Sequence, residues 1–282
     1  MRLFLLVLVA FFLFALSAGC VRDIIPGNNN DGEVSKGQED VNEGFVKIEV
    51  DGISFRFEKS LAGSVDFTIV PASEEGDMIP YPKYALFTFF DPACSVNMYS
   101  EGYLFVLPAE PYSLVDNEAD RAMAELSKIL GSRSLDTAYG ELPFLPFPNA
   151  GQLFYSNVDF IGFTGGKGIR YITQYVQDVS PIVSEGLIYT FQGITADSRY
   201  YVSLIMPVGN PNIIQTWSDF FDEADYEEFA ENFHSYIEQD REILNNSPDS
   251  DFMPSLDLFD MLVDSILIDN PDFLFEEGQS VG

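Results

Sequence analysis

The chain has 282 residues, with 14 Lys and Arg against 45 Asp and Glu, a formal net charge of −31. A charge of that size repels nucleic acid and anionic headgroups, which excludes nucleic-acid binding; it favours cations and basic partners, and it also serves as a general solubility device. Hydrophobic residues make up 46% of the sequence and aromatics 15%, which excludes a disordered chain and supplies a sizeable core.

The N-terminus is the most specific segment. Arg2 precedes an unbroken apolar run, Leu3 to Leu16, followed by Ser17-Ala18-Gly19-Cys20. A positive start, a short apolar stretch and small residues are the layout of a secretory signal peptide. A bilayer-spanning helix needs about 20 apolar residues, more than this run provides. Ala18-Gly19-Cys20 resembles the lipobox of bacterial lipoprotein precursors, with Ser17 where leucine is commonest and Leu16 one place earlier. The resemblance implies that residues 1–19 are a signal peptide and that Cys20 becomes a lipidated N-terminus, held stably by two or more acyl chains. It implies a protein anchored to the cell membrane or outer membrane and facing the extracytoplasmic side. Removing residues 1–19 takes away Arg2 and no acid, leaving 13 basic against 45 acidic side chains, or −32. With Cys20 acylated, Cys94 has no partner cysteine for an internal disulfide.

Residues 20–44 read as the lipidated cysteine and a polar tether, carrying Pro26-Gly27-Asn28-Asn29-Asn30-Asp31-Gly32. Such a linker reaches roughly 25–30 Å root-mean-square from its anchor. A single globular domain is expected over 45–270, and a flexible acidic tail over 271–282. Phe45–Val50 and Ile53–Phe57 each alternate apolar and polar residues around Asp51-Gly52, which predicts a hairpin with a type I′ turn. Tyr84–Phe90 and Tyr103–Leu107 are two further strands. Asn117–Leu130 has helical spacing, with Asp116 or Asn117 as the cap and Gly131 as the stop. Pro143–Pro148 is a stiff connector. Four runs then follow with short turns, Leu153–Phe163, Ile169–Gln177, Leu187–Ile194 and Tyr200–Val208, an antiparallel meander. A second helix is predicted from near Asp225, with Glu228 three residues on as in a capping box, and a third over Pro254–Ser265, before a closing strand at 266–268. The fold class is α+β: an antiparallel sheet with its meander at about 153–208, packed with about three helices.

Several segments carry a wider resemblance: Leu142-Pro-Phe-Leu-Pro146, Asn149-Ala-Gly-Gln152, Gly168-Ile-Arg-Tyr-Ile-Thr-Gln-Tyr175, Tyr189-Thr-Phe-Gln-Gly193 and Tyr200-Tyr-Val-Ser203. Together they resemble a family of uncharacterised secreted and lipid-anchored bacterial proteins, which implies no catalytic motif. The ending, an amphipathic helix followed by Val263-Asp-Ser-Ile266, resembles the close of PsbP-like domains and implies an α/β/α sandwich.

Candidate chemistry is sparse. His234, the only histidine, reads as an ordinary helix-surface residue, and Cys94 as a buried inert thiol. Asp222, Glu223 and Asp225 crowd a helix start, where acids complement the helix dipole; the alternative is a calcium patch. Trp217, Phe144 and Phe147 are candidates for a ligand groove, or else core residues. The functional expectation is a lipid-anchored, non-catalytic binding or envelope-assembly protein, whose partner is an envelope protein or a basic or cationic ligand. The alternative is an extracytoplasmic hydrolase using carboxylates or calcium.

Overall fold

A computed structural model of the chain describes residues 38–40, 44–73, 79–94, 97–137, 140–223 and 226–275. The expected signal segment, Cys20 and most of the expected tether lie outside the described residues. Among those described, no helix is long and apolar enough to cross a membrane.

The first hairpin forms as its sequence dictates. β2 (Phe45–Val50) pairs with β3 (Ile53–Glu58), with Val50 opposite Ile53. Asp51 and Gly52 both take positive φ, 47° and 84°, as a type I′ turn requires. Gly52 has a second reason to be glycine: a Cβ there would lie 2.4 Å from the Asp269 carbonyl oxygen. β11 (Leu267–Ile268) adds to the β3 edge, and β1 (Gln38–Asp40), which falls within the expected tether, adds to β2. The result is a four-stranded sheet in the order β1-β2-β3-β11.

The larger sheet has seven antiparallel strands. β4 (Ser64–Val70), β5 (Tyr84–Phe90) and β6 (Glu101–Pro108) form one wing. β7 (Gly151–Phe163), β8 (Gly166–Val176), β9 (Ile188–Thr195) and β10 (Tyr200–Pro207) form the predicted meander. The order is β4-β5-β6-β10-β9-β8-β7, so β6 and β10 join the two wings. β4 is absent from the predicted set, although its Val65, Phe67, Ile69 alternation is a legible signal.

Both faces of this sheet are covered, which is why its central strands are apolar on both sides. On β10, Tyr200, Val202, Leu204 and Met206 face one core, while Tyr201 and Ile205 face the other. The first core is closed by Phe55 and Phe57 of the small sheet and by two helices, α5 (Phe233–Asn246) and α6 (Leu256–Asp264). The second is closed by α1 (Ala109–Val115), α2 (Asn117–Ser132) and the connector residues Leu142, Phe144 and Leu145. With α3 (Trp217–Glu223) and α4 (Tyr226–Glu231), the described residues hold six α-helices. The three predicted ones are present, and α1, α3 and the break within the second helix are additions.

Two helix ends differ from the sequence reading for local reasons. α2 is capped by Asp116, whose side chain accepts from the Glu118 N–H at 2.8 Å. It runs through Gly131 and ends at Arg133, which takes a left-handed conformation (φ 51°) and lays its guanidinium 4.8 Å from the Phe160 ring centre. The second predicted helix breaks at Asn232, whose φ/ψ of −108°/15° leaves the α region and whose side-chain amide donates to the Glu228 carbonyl at 2.9 Å. In the expected tail, Leu274 is buried and Phe275 stacks on Tyr200 at 5.5 Å, so residues 271–275 pack onto the domain; 276–282 lie outside the described residues.

Candidate functional site

After β10 the chain crosses to α3, whose start is fixed by side chains. The Thr216 hydroxyl accepts from the Asp219 N–H and the Asp219 carboxylate accepts from the Thr216 N–H, both at 3.1 Å. This is a reciprocal capping box, and Thr216-x-x-Asp219 is the signal that could have placed α3 from sequence. The Trp217 N–H is held by the Glu185 carboxylate at 2.6 Å.

The three helices α3, α4 and α5 then gather a satellite cluster of rings. Phe229, 1% exposed, is the centre. Phe220, Phe233, Tyr236 and Tyr226 stand around it at 4.9, 5.7, 5.5 and 6.1 Å between ring centres. Phe221 adds a contact with Tyr226 at 6.1 Å. One side of the cluster is open: Phe221 is 50% exposed, Tyr226 44% and Tyr236 36%. Asp219, Asp222, Glu227, Glu228 and Glu231 are exposed around the same helices. Phe221, Tyr226 and Tyr236 thus form an exposed aromatic patch and not isolated exposed rings.

The sequence candidates do not converge on one site. Asp222 is exposed on α3; the side chain of Glu223 and the whole of Asp225 lie outside the described residues. Among the described residues, no three His, Cys, Asp or Glu side chains are placed to hold a metal ion. Trp217 is half-buried beside the open cluster. Phe144 lies on the opposite face of the large sheet, stacked on Tyr175 at 4.7 Å, with Phe147 packed against the same core. Phe144 lines a crevice with Tyr99, Tyr103 and Tyr175 whose volume is about 20 Å³, room for about one water molecule. Neither Trp217 nor Phe147 is among its lining residues. His234 is exposed and rests against Phe233 at 5.6 Å, while Cys94 is buried.

The segments that carry the wider resemblance meet in a buried polar latch. The fully buried Gln192 amide donates to Thr190 Oγ1 (2.7 Å) and Ser203 Oγ (2.9 Å). Its oxygen accepts from the Leu145 N–H (3.0 Å) and the Tyr201 hydroxyl (2.7 Å). Tyr171 donates to the Pro143 carbonyl at 2.8 Å, and Gln152 accepts from the Leu142 N–H at 2.8 Å. Burial pushes the Tyr171 and Tyr201 hydroxyls well above the ordinary tyrosine range, so they act as neutral donors. Three of these bonds, at the Leu142 N–H, the Pro143 carbonyl and the Leu145 N–H, tie the connector to the sheet.

On the other face, the guanidinium of Arg170 is nearly buried against β8. It donates to Asp249 at 2.7 Å and lies 3.5 Å from Asp260, which also accepts from the Tyr189 hydroxyl at 2.8 Å. Burial raises the Asp260 carboxyl above its ordinary value, opposed by the charge of Arg170. Burial alone raises Asp240, on α5, to about 6. Neither carboxyl lines the crevice beside Phe144 or a wider concavity at the C-terminal end of α5. Glycoside-type hydrolysis requires two carboxylates facing each other across a cleft.

No family model matches the chain, and no curated protein matches it in sequence.

Proposed function

We propose that this chain is a lipid-anchored extracytoplasmic protein that binds a basic, partly apolar segment of an envelope protein on the α3–α5 face. The lipobox at Cys20, the polar tether and the resemblance to secreted and lipid-anchored bacterial proteins support the location. The observation that carries the binding reading is the open ring set Phe221, Tyr226 and Tyr236 within a rim of exposed acids. Rings supply area to be covered, and the acids select a cationic partner and steer its approach. Covering the exposed half of Phe221 removes roughly 100 Å² of apolar surface, about 2.5 kcal/mol.

Trp217 is the only tryptophan in the chain and flanks the surface, so its fluorescence reports occupancy. The test titrates the mature protein with an amphipathic Lys/Leu peptide and with a Lys/Ser peptide of equal charge. Expected is tighter binding of the Lys/Leu peptide, with a Trp217 spectral shift. The triple variant Phe221→Ser, Tyr226→Ser, Tyr236→Ser should abolish that preference and leave Lys/Ser binding unchanged. Equal affinity for the two peptides would reduce the surface to diffuse charge attraction. Anchoring is tested separately: Cys20→Ala should lose incorporation of an alkyne-labelled fatty acid, and retained label would refute the lipobox reading.

A further inference from the structure

The wider of the two pockets lies at the far end of α5 from the ring cluster, where the helix stops at Asn246 and the chain turns through Ser247 into a short 3-10 turn, Asp249–Asp251. It is an open surface concavity of about 430 Å³, lined by Asn212, Gln239, Glu242, Asn246 and Asp251, with Ile243 and Ser247 among them, wide enough to seat one face of a small molecule.

The frame is fixed from behind. The buried Ser247 closes the helix, donating its hydroxyl to the Ile243 carbonyl at 3.0 Å. A bulge in β7 turns the Asn157 N–H to the Asn245 side chain at 2.9 Å, tying the end of α5 to the large sheet. The fully buried Asn210 receives the Asn212 N–H at 2.9 Å and is itself held by Ser184 at 2.9 Å. The lining side chains are uncommitted by contrast. Gln239, Glu242 and Asn246 have no side-chain hydrogen bond or ion pair among the described residues. The Asn212 amide reaches Ser247 Oγ and Asp251 Oδ2 only at 3.3 Å each, long bonds that a ligand can replace at small cost.

The lining chemistry selects the ligand. Three carboxamides offer donors as well as acceptors, whereas a metal ion or an ammonium group uses acceptors alone and leaves the three NH₂ groups to water. An anion is repelled by Glu242 and Asp251. A neutral polyol uses both kinds of group, with carboxylates accepting from adjacent hydroxyls, and the side chain of Ile243 supplies apolar contact for the C–H face of a sugar ring. We infer that this pocket binds a neutral monosaccharide unit. This assignment is independent of the partner surface on α3–α5.

The test is saturation-transfer NMR on the mature protein with glucose, mannose, galactose and N-acetylglucosamine as probes. At least one sugar should receive saturation on its ring protons, with millimolar affinity. Glu242→Ala and Asn246→Ala alter exposed positions and should each weaken binding about tenfold or more, roughly the effect of one well-made polar contact to a ligand. The Phe221/Tyr226/Tyr236 triple variant should bind sugar unchanged. No transfer from any of the four at about 50 mM, transfer untouched by both alanine variants, or displacement of the sugar by calcium or spermidine would each overturn the assignment.

Discussion

Replacing Gln192 by leucine tests whether the connector is held by hydrogen bonding or by apolar packing alone. Gln192 is fully buried and makes four hydrogen bonds, of 2.7, 2.9, 3.0 and 2.7 Å. Leucine has a similar volume, so the cavity term is small and the loss is polar. Two donors are orphaned, the Leu145 N–H and the Tyr201 O–H, because both give their protons to the amide oxygen, and the buried Ser203 hydroxyl loses its one hydrogen bond. The Thr190 hydroxyl keeps its own bond to the Leu204 carbonyl at 3.0 Å. Each buried orphan costs about 1–3 kcal/mol, so Gln192→Leu should destabilise the domain by about 3–9 kcal/mol, a large part of the 5–15 kcal/mol typical of a folded domain. Tyr201→Phe removes one of the three orphans in advance. The double variant should therefore be more stable than the sum of the single effects predicts, by about 1 kcal/mol or more. Urea unfolding followed by far-ultraviolet circular dichroism measures all three variants, with m unchanged if only stability shifts. A loss below about 1 kcal/mol for Gln192→Leu, or strict additivity with Tyr201→Phe, would refute the latch.

Asp240→Asn should stabilise the protein at neutral pH. The folded-state carboxyl is raised from 3.8 to about 6, so its penalty is absent below pH 3.8 and complete above pH 6. Two pH units correspond to about 3 kcal/mol, and partial exposure reduces this to about 1–2 kcal/mol. The gain should be present at pH 7.5 and vanish near pH 3.5; an equal gain at both would exclude the carboxyl as its source. Arg170→Met leaves Asp249 and Asp260 uncompensated and should cost about 2–4 kcal/mol, less than for fully buried pairs because both acids keep some solvent contact. With its compensating charge gone, the already raised Asp260 carboxyl rises further. The cost should therefore shrink as pH falls and Asp260 protonates, whereas a pH-independent loss would point to packing alone. Gly168→Ala would place a Cβ 2.4 Å from the Gln192 carbonyl and 2.5 Å from the Phe191 ring, whereas at Gly102 the closest neighbour is the flexible Met206 thioether. Thermal unfolding should therefore show Gly168→Ala costing about 1–3 kcal/mol and Gly102→Ala distinctly less; the reverse order would contradict the β8–β9 packing.

What the sequence determined by itself is local. The alternation of Phe45–Val50 and Ile53–Phe57 about Asp51-Gly52 defines its hairpin because strand period and turn conformation are properties of neighbouring residues. The four runs of the meander follow for the same reason, as do α2 and its Asp116 cap. The expectation of a signal segment and lipobox likewise rests on contiguous residues alone. Only the tertiary structure decided which apolar residues stay open. Phe229 and Phe221 both belong to helical aromatic stripes, yet one is 1% and the other 50% exposed, because α3 and α4 pack on each other beside the main core. Phe144 and Trp217 look alike as candidates and lie on separate faces. The partners of Gln192 and Arg170 come from segments up to 47 and 90 residues away, and the carboxamides of the α5 pocket meet across the turn at Ser247 and the loop at Asn212. Such groupings depend on β6 lying beside β10 and on where α5 ends, which distant contacts fix and no periodicity encodes.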